Sequence, residues 1–138
     1  MDNVAIVMLK PDTFRRGLEE KIYDAIVRAG LKIVSRKKMW LDEKMIREYQ
    51  PVLNEPSEFG EEWKREAIQA MIGAPVEILI VEGPDAIAKT KQIKTEIRGR
   101  YVLSQHYRDR VILNLIHTAD NPLELYNNLK VLSPEILE

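Results

Sequence analysis

The strongest constraint on this chain's fold is Asn3-Val4-Ala5-Ile6-Val7-Met8-Leu9, a continuous apolar run that stops abruptly at Lys10-Pro11-Asp12. Such a run closed by a proline turn reads as a buried central strand emptying into a polar corner. The rest of the chain must pack around that strand, and Lys10 is held at its end. A chain of 138 residues with 45% hydrophobic content predicts a single domain, residues 1–138, able to bury a proper core.

After the basic turn Arg15-Arg16-Gly17, the residues Leu18, Ile22, Ala25, Ile26 and Ala29 recur at helical spacing. Glu19 and Glu20 open that helix and Gly30 stops it. Leu31 to Leu41 reads as a second strand, with Arg36-Lys37-Lys38 as a solvated edge. Asp42 is positioned to cap a short helix through Tyr49 that Pro51 ends, and Ser57 to cap another. In the latter, Phe59, Trp63, Ala67, Ala70 and Met71 form one apolar stripe closed by Gly73-Ala74-Pro75. The stripe suits either core packing or, through its two aromatics, the flanks of a flat ligand. Val76 to Val81 is a further strand, Gly83-Pro84-Asp85 starts a short helix, and Val111 to His117 is the last strand. The sum is a βαββαβ α/β sandwich, a four-stranded antiparallel sheet with helices packed on one face.

Composition excludes several classes of function. A net charge of -1 with 31% charged residues gives no global attraction to nucleic acid or membrane, so no specific nucleic-acid partner is expected. The absence of cysteine rules out a disulfide framework and a thiolate metal site. No basic, apolar leader precedes the first strand and no apolar run approaches the roughly 20 residues that span a bilayer, so a cytoplasmic setting is expected. Charge is concentrated locally. Between Lys89 and Arg110 there are seven Lys or Arg residues against two acids. Such a stretch suits an exposed loop, or cations tethered near an anionic substrate such as a phosphate chain.

That cationic stretch leads into Asn114-Leu115-Ile116-His117-Thr118-Ala119-Asp120-Asn121-Pro122, which holds one of only two histidines. Neutral imidazole can act as a nucleophile. Asn114 and Asp120 each lie three residues from His117, and Asn121-Pro122-Leu123-Glu124 offers a capping box that aims a helix N-terminus at the same corner. A regular strand would put Asn114 and His117 on opposite faces. The two converge only if the chain bends between them.

Taken together, Ile6 to Asp12, Arg16-Gly17-Leu18, Gly73-Ala74-Pro75-Val76, Glu82-Gly83, Ile97-Arg98-Gly99 and the closing Asn114-x-x-His117-x-x-Asp120 resemble the nucleoside diphosphate kinases. The resemblance implies a ferredoxin-like fold, assembly into a homo-oligomer, and transfer of the terminal phosphate of a nucleoside triphosphate to a nucleoside diphosphate through a phosphohistidine. Mg²⁺ would be held mainly by the nucleotide phosphates rather than by protein ligands. By the same resemblance His117 is the nucleophile, Lys10 and Asn114 hold the ribose, Arg98 binds phosphate, and Phe59 with Trp63 sandwich the base. The second phosphate-binding arginine falls at Lys91 or Gln92. Tyr49 and Asp120 match supporting positions, Tyr49 with an offset of one. The chain departs from the pattern at Thr118-Ala119, where a Ser is usual at the second position, and at Asn128, where the glutamate that orients the histidine falls. A second reading is a kinase-like domain serving as a nucleotide sensor or protein-interaction module. The two differ in whether the cations of the 89–110 stretch face His117.

Overall fold

The computed structural model describes residues 3–56, 60–102 and 112–138. Strand β1 (Val4–Leu9) lies inside the sheet as its apolar run demands, paired antiparallel with β3 (Val76–Glu82) and with β4 (Ile116–Thr118). Strand β2 (Lys32–Met39) pairs antiparallel with β3, giving the order β2-β3-β1-β4. Its residues alternate between exposed and half-buried, as a solvated edge requires.

Helices supply the connections. A five-residue helix α1 (Pro11–Arg15) and α2 (Glu19–Arg28) lead from β1 to β2. Next, α3 (Glu43–Tyr49), a 3₁₀ turn at Pro51–Asn54 and α4 (Gly60–Ile72) lead to β3. Helix α5 (Ala86–Tyr101) follows β3, and α6 (Pro122–Leu132) follows β4. The ferredoxin-like arrangement predicted from the sequence is therefore present, with an additional helical excursion between β2 and β3. Both capping predictions that fall on described residues hold. The Asp42 side chain accepts from the Met45 amide at 2.8 Å, and Asn121 Oδ1 accepts from the Glu124 amide at 2.9 Å. The predicted Ser57 cap lies outside the described residues.

Two expectations change. Helices cover both faces of the sheet rather than one. Ala5, Val7, Leu9, Leu79 and Val81 pack under α2 and α5, whereas Ile6, Met8, Ile78 and Ile80 pack under α3, α4 and α6. A strand buried at every position needs cover on each side, since successive side chains point to opposite faces. The helix after Gly83 is also long, running unbroken from Ala86 to Tyr101, so the cations from Lys89 to Arg100 lie on a helix and not in a loop. Among the described residues, no helix is long and apolar enough to cross a membrane.

The last strand is shorter than its apolar run suggested. Its pairing begins at Ile116, because Leu115 takes φ 71° and the Ile116 amide donates back to the Asn114 carbonyl at 2.8 Å. This is a γ turn of the strained kind, in a conformation that a bulky residue rarely adopts. The corner after β1 holds it in place. The Lys10 amide and the Thr13 hydroxyl both donate to the Leu115 carbonyl, at 2.9 and 2.6 Å, and the Leu115 amide donates to Asp12 Oδ2 at 3.0 Å. Leu115, Asp12 and Thr13 are all buried.

Asp12→Ala leaves the buried Leu115 N–H without its acceptor and should cost about 1–3 kcal/mol of stability. Denaturant melts measure it, and an unchanged midpoint would show that Asp12 does not hold the turn.

Candidate active site

The γ turn gives the bend that the sequence demanded, and it brings Asn114 and His117 to one cleft of about 240 Å³. Its walls come from four directions: Lys10 from the end of β1, Gln50 to Leu53 from the 3₁₀ region, Trp63, Ala67 and Met71 from α4, and Lys94 and Arg98 from α5. Ile112, Thr118, Asp120 and Glu124 complete them. A larger hollow of about 520 Å³ between α2 and α5 contains none of these residues. Size therefore does not locate the chemistry; the convergence of histidine, amide and cations does.

His117 Nε2 lies 2.7 Å from Asn128 Oδ1. Asn128 Nδ2 points to the Tyr49 carbonyl, 3.5 Å away, so the amide meets the histidine with its oxygen, which can only accept. Nε2 therefore carries the proton, and Nδ1 keeps the lone pair. Tyr49 packs edge-on against the imidazole, with ring centroids 5.1 Å apart. The neighbouring Asn127 donates to the Glu48 carbonyl at 3.0 Å, so two consecutive asparagines of α6 grip the last turn of α3. Burial lowers the His117 pKa to about 4, aided by Lys94, Lys10 and Arg98 and opposed by the Asn128 hydrogen bond. The imidazole is neutral, hence nucleophilic, at pH 7.

The cations are held with similar care. Lys10 Nζ donates to the Ile112 carbonyl at 2.9 Å and to Asn114 Oδ1 at 2.7 Å, and burial lowers its pKa to about 8 against the pull of Asp12. Arg98 donates to the Asn114 and Ile116 carbonyls at 3.2 and 2.6 Å, bracing both ends of the γ turn. Burial lowers its pKa too. Both residues thus hold the bend as well as facing the cleft. Lys94 Nζ lies 2.7 Å from Asp120 Oδ1, which lowers the pKa of that carboxyl.

The structure thus brings together His117, Lys10, Asn114, Arg98, Trp63, Asp120 and Tyr49. Trp63, 9% exposed, belongs at once to the core and to the cleft wall. Lys91 does not line the cleft. It is exposed on α5, although its charge still acts on Asp120. Phe59, the other histidine His106, and Arg108 and Arg110 lie outside the described residues. The sequence reading passed over Lys94 as a site residue. Its signal was the spacing of four residues to Arg98 in a stretch with no Gly or Pro from Ala86 to Arg98, which places the two side chains on one helical face.

Comparison with known proteins gives the family and the fold. A family model described as nucleoside diphosphate kinase matches residues 3–135. A nucleoside diphosphate kinase of Thermosipho melanesiensis is 32% identical over 139 residues, covering 94% of this chain and 87% of that protein. Among solved structures, a halophilic nucleoside diphosphate kinase of Halobacterium salinarum in complex with CDP superposes with a TM-score of 0.74 at 25% identity, covering 96% of this chain and 88% of that one. The Borrelia burgdorferi nucleoside-diphosphate kinase with bound vanadate and ADP gives 0.78 at 22% identity, over 94% and 85%, a likeness of fold.

Because the His117 pKa is lowered on folding from 6.5 to about 4, the unfolded chain binds more protons between those values. Stability contributed by the neutral ring is therefore complete above pH 6.5 and drains away as the pH falls toward 4. In His117→Asn this part of the acid destabilisation should vanish. An NMR titration that found His117 changing charge near pH 6.5 in the ligand-free protein would contradict its buried, cation-ringed setting.

Proposed function

The chain belongs to the nucleoside diphosphate kinase family, a family of phosphotransferases, and on that premise we propose that His117 is the residue through which it moves phosphate. The observation that carries the reading is the hydrogen bond from Nε2 to Asn128, which leaves Nδ1 free for attack. In the first half-reaction the Nδ1 lone pair bonds to the terminal phosphorus of a nucleoside triphosphate, the bond from that phosphorus to the bridging oxygen breaks, and a nucleoside diphosphate leaves. In the second, a terminal oxygen of another diphosphate bonds to the phosphorus, the N–P bond breaks, and neutral imidazole returns. Nε2 keeps its proton throughout, so no general base is required. While phosphorylated, the ring is positive, and Asn128 accepts from Nε2–H without adding a countercharge.

Catalysis of this kind is mostly positioning and charge stabilisation. Arg98, fixed to the γ turn, and the buried Lys10 supply positive charge, with Lys10 and Asn114 assigned to the ribose. Trp63 is assigned to the base, with Phe59 as its partner. A Mg²⁺ ion would arrive on the nucleotide phosphates, which would mainly hold it. The cleft carboxylates Asp120 and Glu124 are each already engaged through one oxygen, to Lys94 and Asn121. Asp120 is the residue placed to hold such an ion, which would neutralise charge on the phosphate oxygens.

On the same footing we assign the chain to the cytoplasm, as a homo-oligomer built from one nucleoside diphosphate kinase-like domain over residues 1–138. The β2 edge, unpaired among the described residues, and the exposed Trp40 beside it support self-assembly.

Incubation with γ-labelled ATP should give an acid-labile, alkali-stable phosphoprotein that passes its label to a diphosphate, and His117→Asn should abolish both. Labelling of the variant at the wild-type rate would move the acceptor elsewhere. Nucleotide binding with no labelling of the wild type would favour the sensor reading.

A further inference from the structure

Lys94 and Arg98 stand four residues apart on α5, and both reach the cleft, but they are held differently. Arg98 is committed to backbone carbonyls of the γ turn. Lys94 is committed to a partner that can let go. Its side chain is 13% exposed, whereas the Asp120 carboxylate that pairs with it is 42% exposed. Its other contact, to the Thr118 carbonyl, is long at 3.4 Å. An ammonium has three donors, of which two have acceptors among the described residues. The Thr118 carbonyl belongs to a residue lining the cleft, next to His117. An ammonium held by one half-exposed carboxylate, in the same cleft as His117 and Arg98, forms the donor half of an anion site.

We propose that Lys94 is a phosphate-binding residue of this chain, paired with Asp120 in the ligand-free protein and taken over by the phosphate oxygens of the nucleotide on binding. The exchange is downhill because a half-exposed single carboxylate holds a lysine weakly, whereas a phosphate chain carries more charge and several strong acceptors. It singles out one cation of the 89–110 stretch for that role. Lys94 supplies the second cation sought at Lys91, one helical turn further along the same helix. This inference rests on the phosphotransfer reading, and its test separates the two.

With the full-length protein in EDTA, so that no metal bridges to Asp120, the affinities of adenosine, AMP and ADP are measured for wild type, Lys94→Met and Asp120→Asn, each checked for folding by its melt. Lys94→Met should leave adenosine binding unchanged and weaken ADP about 10- to 100-fold, the equivalent of one hydrogen bond to a charged group. Asp120→Asn should bind ADP more tightly, because the competing carboxylate is gone. Equal ADP affinity in wild type and Lys94→Met would overturn the assignment, and so would a parallel loss for adenosine and ADP. Should Lys94→Met not fold, Asp120→Asn decides alone, and unchanged or weaker ADP binding there sinks the idea. Wild-type protein that binds ADP with these properties yet takes no label from γ-labelled ATP would defeat the transfer reading and leave Lys94 standing.

Discussion

The site depends on the left-handed backbone of one leucine. Leu115 is bulky and fully buried, and nothing in its own chemistry favours φ 71°. The cost is met by the corner that follows β1, where a carboxylate, a hydroxyl and a main-chain amide converge on its two peptide groups. Lys10-Pro11-Asp12 is therefore more than a strand terminator. The proline begins α1, which sets Asp12 and Thr13 in place, and Lys10 uses its main chain for the turn and its ammonium for the cleft. Without the turn, Asn114 and His117 would face opposite sides of the sheet.

Around that bend the protein crowds cations against a histidine and gives it a neutral neighbour. Lys10, Lys94 and Arg98 all disfavour a charged imidazole, and burial disfavours it further. Asn128 orients the ring without neutralising it. The cleft is thus an electrostatic hole shaped for an anion, since negative charge there relieves the cations. Asp120 fills that hole in part, because its carboxylate, held by Lys94, is the acid nearest to hand.

Much of the frame was legible in the chain because its signals are local. The apolar run of β1, the alternation of β2 and the caps at Asp42 and Asn121 each depend on side chains a few residues apart, and each is observed. The requirement for a bend between Asn114 and His117 was legible too, from strand geometry alone. What escaped was set by distant partners. The Val111 to Ile116 run has strand composition, yet Leu115 is pulled out of register by residues at the other end of the chain. The two-sided burial of β1 and β3 was implicit in the apolar runs from Val4 to Leu9 and from Ile78 to Val81, and becomes visible once α3, α4 and α6 have a face to cover. Lys94 went unnoticed because the length of α5 was underestimated, and with it the face that Lys94 shares with Arg98.

The hydrogen bonds that build the cleft join residues 102 to 104 positions apart, from Lys10, Asp12 and Thr13 to Ile112, Asn114 and Leu115. Closing a loop of that span is slow and entropically unfavourable, so these contacts form only as β4 docks beside β1. Until residues 112 to 115 have been made, the corner after β1 has no turn to hold and the walls of the cleft are not gathered. Any ligand that binds the assembled cleft therefore favours the completed molecule, and mass action makes it a selective stabiliser of chains that have folded to the end.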